Sequence, residues 1–196
     1  MDKRIYELRE KAVKNGNPIL RDQSFELLLS IVRERKPKRI LEVGVNVGIS
    51  STAMLLENEN SFVTGIEINE TCASQAKENY KLFGVDDRVK IFLGDASEII
   101  PVLTGKYDLI FLDGPKGHYY EYVQNLLPQL NVGGILFADN VLFRGYVDGK
   151  VKTPHRFNTT KHSMENFLNL ITTDKKLKTT VHDIEDGVSI TEKLYE

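Results

Sequence analysis

Asp113, Asp139 and Asn140 follow two short apolar runs, YDLIFL at 107–112 and ILFA at 135–138. If those runs are neighbouring strands, they deliver two carboxylates and an amide carbonyl to one place. Three oxygen donors of this kind suit a hard divalent cation, Mg²⁺ or else Mn²⁺ or Ca²⁺. The set contains no cysteine or histidine, which argues against zinc. An Asp-Asn pair after a strand is also an ordinary turn, so the metal reading rests on the combination with Asp113. Lys116 lies three residues beyond Asp113. Beside a cation in a partly closed pocket its pKa is expected to fall, which fits a general base for a hydroxyl.

A second constellation lies upstream. The stretch RILEVGVNVGIS, residues 39–50, reads as strand, glycine turn and helix start. Glycines let the backbone pass close to a ligand, and a helix start offers free N–H groups to an anion. The spacing is Glu-x-Gly-x-x-x-Gly, with Asn46 where the dinucleotide fingerprint G-x-G-x-x-G has its middle glycine. That counts against a nicotinamide-dependent oxidoreductase, as does the lack of a Tyr-x-x-x-Lys pair beside a suitable serine. Glu67 ends the next strand about 20 residues after the glycine turn, where a carboxylate accepts ribose hydroxyls. Its alternative role is a charge at the start of the following helix. The turn Gly94-Asp95-Ala96-Ser97 can present Asp95 and backbone groups to an adenine edge, and Asp95 can equally cap the next helix.

Other residues carry weaker signals. His118, Tyr119 and Tyr120 either wall the pocket or lie on a helix surface; Cys72 reads as a passive helix residue, and His182 as a strand residue. Between 144 and 162 stand Arg144, Lys150, Lys152, Arg156 and Lys161, with His155 and His162, against one acid, Asp148. This basic segment is either a contact for acceptor phosphates or a solvated loop.

The elements that must position these groups alternate. Helices are expected at 3–14, from an N-cap at Asp22 to Pro37, and at 50–58, 70–83, 97–103, 117–130 and 161–172. Strands are expected at 39–43, 61–67, 88–93, 107–112 and 135–138, with a closing hairpin at 178–183 and 188–193. Alternation through residue 140 implies a parallel sheet covered on both faces, with the hairpin adding an antiparallel element at one edge. In such a sheet ligands bind outside the carboxyl ends of the strands, where Glu67, Asp95, Asp113 and Asp139 all fall.

The 196 residues fit one domain, with helices over 1–37 and the α/β core over 38–196. The net charge of −2 gives no global attraction to nucleic acid or acidic membrane. One cysteine excludes an internal disulfide framework. A charged N-terminus without an apolar core shows no secretory signal, and no apolar run spans a bilayer, so a cytoplasmic protein acting away from membranes is the default expectation.

LEVGVNVGISS, GIEIN, LGDAS, DLIFLDGPKGHY, GGILFADNVLFRG and EDGVSI together resemble the cation-dependent, S-adenosylmethionine-dependent O-methyltransferases of the catechol and caffeoyl-CoA type. The resemblance runs from about Pro18 to Lys193. It implies the seven-stranded, Rossmann-like class I methyltransferase sheet, doubly wound, and S-adenosylmethionine as cofactor. By resemblance, Glu42, Gly44 and Ser50 hold the methionine part, Glu67 the ribose, and Asp95 with Ala96 the adenine side. Asp113, Asp139 and Asn140 match the metal ligands, with Asp113 serving the cofactor and the chemistry as well, and Lys116 matches the catalytic base. A homodimer is implied in the same way. Within the family the chain is most similar to a bacterial branch that includes tRNA 5-hydroxyuridine methyltransferases. The acceptor is therefore expected to be a catechol-like small molecule carrying a hydroxyl, with tRNA as the alternative.

Overall fold

A computed structural model describes residues 2–196. Two helices come first, α1 (Lys3–Lys14) and α2 (Asp22–Arg35). The core then alternates: β1 (Arg39–Val43), α3 (Ile49–Glu57), β2 (Phe62–Glu67), α4 (Glu70–Phe83), β3 (Val89–Leu93), α5 (Ala96–Ile99), β4 (Tyr107–Leu112), α6 (Tyr119–Leu126) and β5 (Leu130–Asp139). Helix α7 (Asn158–Thr173) precedes the hairpin of β6 (Leu177–His182) and β7 (Val188–Lys193). The seven strands form one sheet in the order β3-β2-β1-β4-β5-β7-β6. Strands β1 to β5 pair in parallel, and β7 inserts antiparallel between β5 and β6. The doubly wound sheet with its antiparallel C-terminal hairpin is thus as expected, and the reversal of strand order at β1 and β4 makes a switch point between them.

Side chains alternate across the sheet with period two, and each face has its own apolar core. Ile40, Phe111 and Phe137 pack with Phe25, Leu28, Met54 and Tyr80 from helices α2 to α4. Leu41, Ile110, Leu112 and Leu136 pack with Tyr119, Val123 and Phe167 from α6 and α7. Glu42 shares the parity of Ile40, so its carboxyl is directed toward the α2–α4 side.

Several boundaries differ from expectation, each for a local reason. Prolines break two helices. The helix expected at 97–103 turns 3-10 at Ile100–Val102, around Pro101. The helix expected at 117–130 splits into a 3-10 turn at Lys116–His118, α6, and a second 3-10 turn at Leu127–Gln129 around Pro128. Strand β5 starts five residues early because Leu130 already pairs with Tyr107. Asp22 is the first helical residue and not a cap: position 21 is Arg21, without a side-chain cap, and Asp22 pairs with Arg9 at 2.5 Å.

Candidate cofactor and metal site

The carboxyl ends of β1, β2, β4 and β5 open into a cavity of about 650 Å³, a size typical of small-ligand pockets. Gly44, Ser50, Glu67, Asp95, Ala96, Asp113, Lys116, Asp139 and Asn140 all line it. The expected site residues are therefore brought together, with one exception. Glu42 stands behind the wall, 1% exposed, with neither carboxyl oxygen hydrogen-bonded. Burial pushes its carboxyl up to about 8, and the charges of Asp113 and Glu67 add to the shift.

The glycine turn is shaped by close approach. Gly44 has φ +95°, and a Cβ there would lie 2.5 Å from the Asp113 carbonyl oxygen. The Asp113 amide in turn donates to the Val43 carbonyl at 2.9 Å. The first glycine therefore sets how closely the ends of β1 and β4 approach, and with that where Asp113 sits.

Glu67 is 8% exposed. Its two oxygens accept the Asn46 amide at 2.7 Å and the Asn69 amide at 2.8 Å. These backbone bonds fix the carboxylate and leave lone pairs for hydroxyl donors. Asp95 both lines the cavity and caps α5, accepting the Ser97 amide at 2.8 Å and its hydroxyl at 2.7 Å. The Ser97 bonds hold its carboxyl below the usual range.

At the β4–β5 edge, Asp139 is 4% exposed and its Oδ1 has no hydrogen-bond partner. Burial, then the nearby Asp113 charge, pushes its carboxyl up to about 6. Asn140 adopts φ +57°, a left-handed conformation that turns the chain sharply after β5. Asp113 accepts Lys116 Nζ at 2.8 Å. Among the described residues no three His, Cys, Asp or Glu side chains converge as a metal nest; the expected set has two carboxylates and one amide. A buried, orphaned carboxylate oxygen beside a second carboxylate is nonetheless a donor set that fits a hard cation.

The fall expected for the Lys116 pKa belongs to a cation beside it; the chain's own groups act the other way. Burial opposes the ammonium, but the Tyr119 hydroxyl and the Asp113 carboxylate together outweigh it and hold the pKa above the ordinary lysine value. The reason is the full negative charge 2.8 Å away.

Tyr119 does not wall the cavity. It is fully buried beneath it, and its hydroxyl bridges the Leu112 carbonyl at 3.0 Å and the Asp139 carbonyl at 3.1 Å. His118 lines the cavity, stacked on Tyr122 at 5.6 Å; Tyr120 does not line it. Sequence reasoning missed Asn17–Arg21, which roof the cavity between α1 and α2, and dismissed Cys72, which stands on its wall. Asn46 was noticed only as a missing glycine, yet it contributes an amide to Glu67. The roof carried one local signal, an Asn-Pro turn, which marks a helix end and not a ligand.

The basic segment is partly self-neutralised. Lys150 pairs with Asp148 and Asp183, and Glu165 takes both Lys161 and His162. Arg144 and Arg156 both lie over the ring of Phe157. Among the described residues, no helix is long and apolar enough to cross a membrane.

The chain matches the O-methyltransferase family over residues 2–194. A caffeoyl-CoA O-methyltransferase of Populus kitakamiensis is 28% identical, across 97% of this chain and 86% of that one. A candidate caffeoyl-CoA O-methyltransferase of Staphylococcus aureus, known from its crystal structure, superposes with a TM-score of 0.88 at 29% identity, over 98% of this chain and 93% of that chain. The S-adenosylhomocysteine-bound methyltransferase PaMTH1 of Podospora anserina superposes with a TM-score of 0.86 at 26% identity, over 100% and 89%. With the fold, the cavity and the family match agreeing over essentially the whole chain, this protein belongs to the O-methyltransferase family.

Proposed function

We propose that this chain transfers a methyl group from S-adenosylmethionine to a hydroxyl of a catechol-like small molecule, with a divalent cation held by Asp113, Asp139 and Asn140. The observation that carries the reading is the orphaned Asp139 Oδ1 on the cavity wall beside Asp113. Four acids stand on that wall, Glu67, Asp95, Asp113 and Asp139. Against Lys116 and Arg21, they make a site that favours cationic ligands, both a metal and a sulfonium.

Glu67 accepts the ribose hydroxyls, its orientation already set by two backbone amides. Gly44 and Ser50 leave room for the methionine part, and Asp95 and Ala96 border the adenine side. Glu42 acts from behind the wall. The cation, when bound, would favour the alkoxide or phenolate form of the acceptor hydroxyl. Tyr119 holds the Leu112 and Asp139 carbonyls, and so the spacing of the two carboxylates that follow β4 and end β5. Lys116 keeps Asp113 in place as a cation in this geometry; it acts as a base only from its neutral form, which the Asp113 charge opposes.

Lys150, Lys161 and His162 already have acidic partners, which favours a small acceptor over an extended phosphate backbone. The test is methyl transfer from labelled S-adenosylmethionine with Mg²⁺, offered a catechol in one arm and bulk tRNA lacking its wobble methoxyuridine in the other. Label in the catechol, lost with chelator and with Asp139→Ala while cofactor binding is kept, is the expected result. Label only in tRNA overturns the acceptor class. Full activity in chelator overturns the metal role.

A further inference from the structure

The roof of the cavity, Asn17–Arg21, is fastened at both ends by side chains from distant parts of the chain. At its start, Asn46 Nδ2 donates to the Pro18 carbonyl at 2.6 Å. The same residue's amide donates to Glu67 at 2.7 Å. Asn46 therefore joins the roof, the glycine turn and the carboxylate at the end of β2. It does so from a left-handed conformation, φ +51°, that asparagine tolerates better than most residues.

At its other end the roof runs into α2, whose N-terminus has no cap of its own. The cap comes from Glu185 in the β6–β7 turn. Its Oε1 accepts the Gln23 amide at 3.0 Å; its Oε2 accepts the Ser24 amide at 3.3 Å and the Ser24 hydroxyl at 2.5 Å. Arg21 Nε stands 4.0 Å from the same carboxylate. The turn that carries Glu185 also holds the chain beyond Asn140. Gly187 and Asp186 carbonyls accept the Val141 and Leu142 amides, and Asp186 Oδ1 accepts the Arg144 amide at 2.5 Å. One hairpin turn thus fixes the roof on one side and the stretch following Asp139 and Asn140 on the other.

We propose that Asn46 and Glu185 are positioning residues that hold Asn17–Arg21 closed over the cavity and thereby set its affinity for the nucleoside cofactor. This rests on the reading of the cavity as the S-adenosylmethionine site. Neither side chain has to touch the cofactor. Asn46 sets the height of the roof above Glu67, and Glu185 sets the start of α2 from which the roof hangs. Because both restrain one segment, releasing either end leaves less for the other to restrain, and their effects should be less than additive.

The test uses the full chain and S-adenosylhomocysteine as the probe, with binding followed by calorimetry and amide exchange read over residues 17–24. Asn46→Gly deletes the strap to Pro18 while keeping both the left-handed backbone and the amide that Glu67 accepts. Glu185→Ala deletes the cap; Glu185→Gln keeps one acceptor oxygen and should rescue part of the loss. Loss of a helix cap shifts a local equilibrium on the order of tenfold. Each deletion should therefore raise the dissociation constant about five- to tenfold at a temperature where the variant is fully folded. Exchange at 17–24 should rise, and the double variant should fall short of the product. Unchanged affinity in both folded variants overturns the proposal even if their melting temperatures drop. Should a variant fail to fold, the wild type decides: exchange at 17–24 must slow when S-adenosylhomocysteine binds, and equal exchange with and without it overturns the proposal. A wild type that binds no S-adenosylhomocysteine instead overturns the cofactor reading, and this inference with it.

Discussion

Replacing Glu42 with glutamine should make the protein less sensitive to alkali. Glu42 is buried on β1 with both oxygens unpaired, and its carboxyl sits at about 8 in place of 4.5. The folded state therefore binds this proton more tightly than the unfolded chain does. Below 4.5 both states are protonated, and the residue adds no pH dependence. As pH rises from 4.5 to about 8, the unfolded state gains by ionising and the fold loses stability; above about 8 the loss levels off. At roughly 1.36 kcal/mol per pH unit, the interval from pH 6 to 8 should cost the wild type about 2–3 kcal/mol through this group alone. Asp139, raised to about 6, also titrates at the lower end of that interval, but it does so in both proteins. Glutamine keeps the shape but cannot ionise. Its buried amide adds a penalty of about 1–3 kcal/mol that is the same at every pH. Urea unfolding at pH 6, 7 and 8 should show the wild-type midpoint sliding down by about 1 M, and that of Glu42→Gln by much less. Parallel slides for the two proteins would refute the assignment of a buried, protonated Glu42.

Other expectations follow from the same geometry. Gly44→Ala combines a positive φ with a Cβ 2.5 Å from the Asp113 carbonyl; it should lose about 2–5 kcal/mol in thermal melts and most S-adenosylhomocysteine binding in calorimetry. Tyr119→Phe strips two buried carbonyls of their shared donor. It should cost about 1–3 kcal/mol in urea unfolding, and a Mg²⁺ titration of activity should shift to higher concentration. Asp139 must lose its proton to ligate a cation, so Mg²⁺ affinity measured by calorimetry should fall as pH drops through about 6.

Much of the site was legible because the fold places ligand groups at strand ends, and strand ends are local. Apolar runs closed by Glu67, Asp113 and Asp139 sufficed to put those residues on one rim. The face of Glu42 was within reach as well, since the period of two along β1 pairs it with Ile40 on the α2–α4 side. What stayed hidden depends on distance along the chain. The roof is fixed by bonds from residue 46 to residue 18 and from residue 185 to residues 23 and 24. No local pattern around Pro18 or Asp22 announces either. The ion pair of Lys116 was hidden for a related reason. Proximity to a metal site was readable, but the direct ion pair with Asp113 depends on how the turn at 113–116 folds back. The divided helices trace to Pro101 and Pro128, a local signal present in the sequence.

The Glu185 cap reaches back 162 positions to Gln23. Chains grow from the N-terminus, and early elements can pack before late ones exist. Helix α2 and the glycine turn leave the ribosome long before the β6–β7 turn does. Until residue 185 has emerged, α2 starts with an uncapped end, and the roof is held by Asn46 at the Pro18 carbonyl and by Arg9 at the Leu20 carbonyl. A nascent chain can thus assemble the parallel half of its sheet and the floor of the cavity while the top stays loose. The β6–β7 hairpin completes the sheet and supplies the α2 cap in one event, so on the proposed role of Glu185 firm cofactor binding is expected only after that turn has emerged.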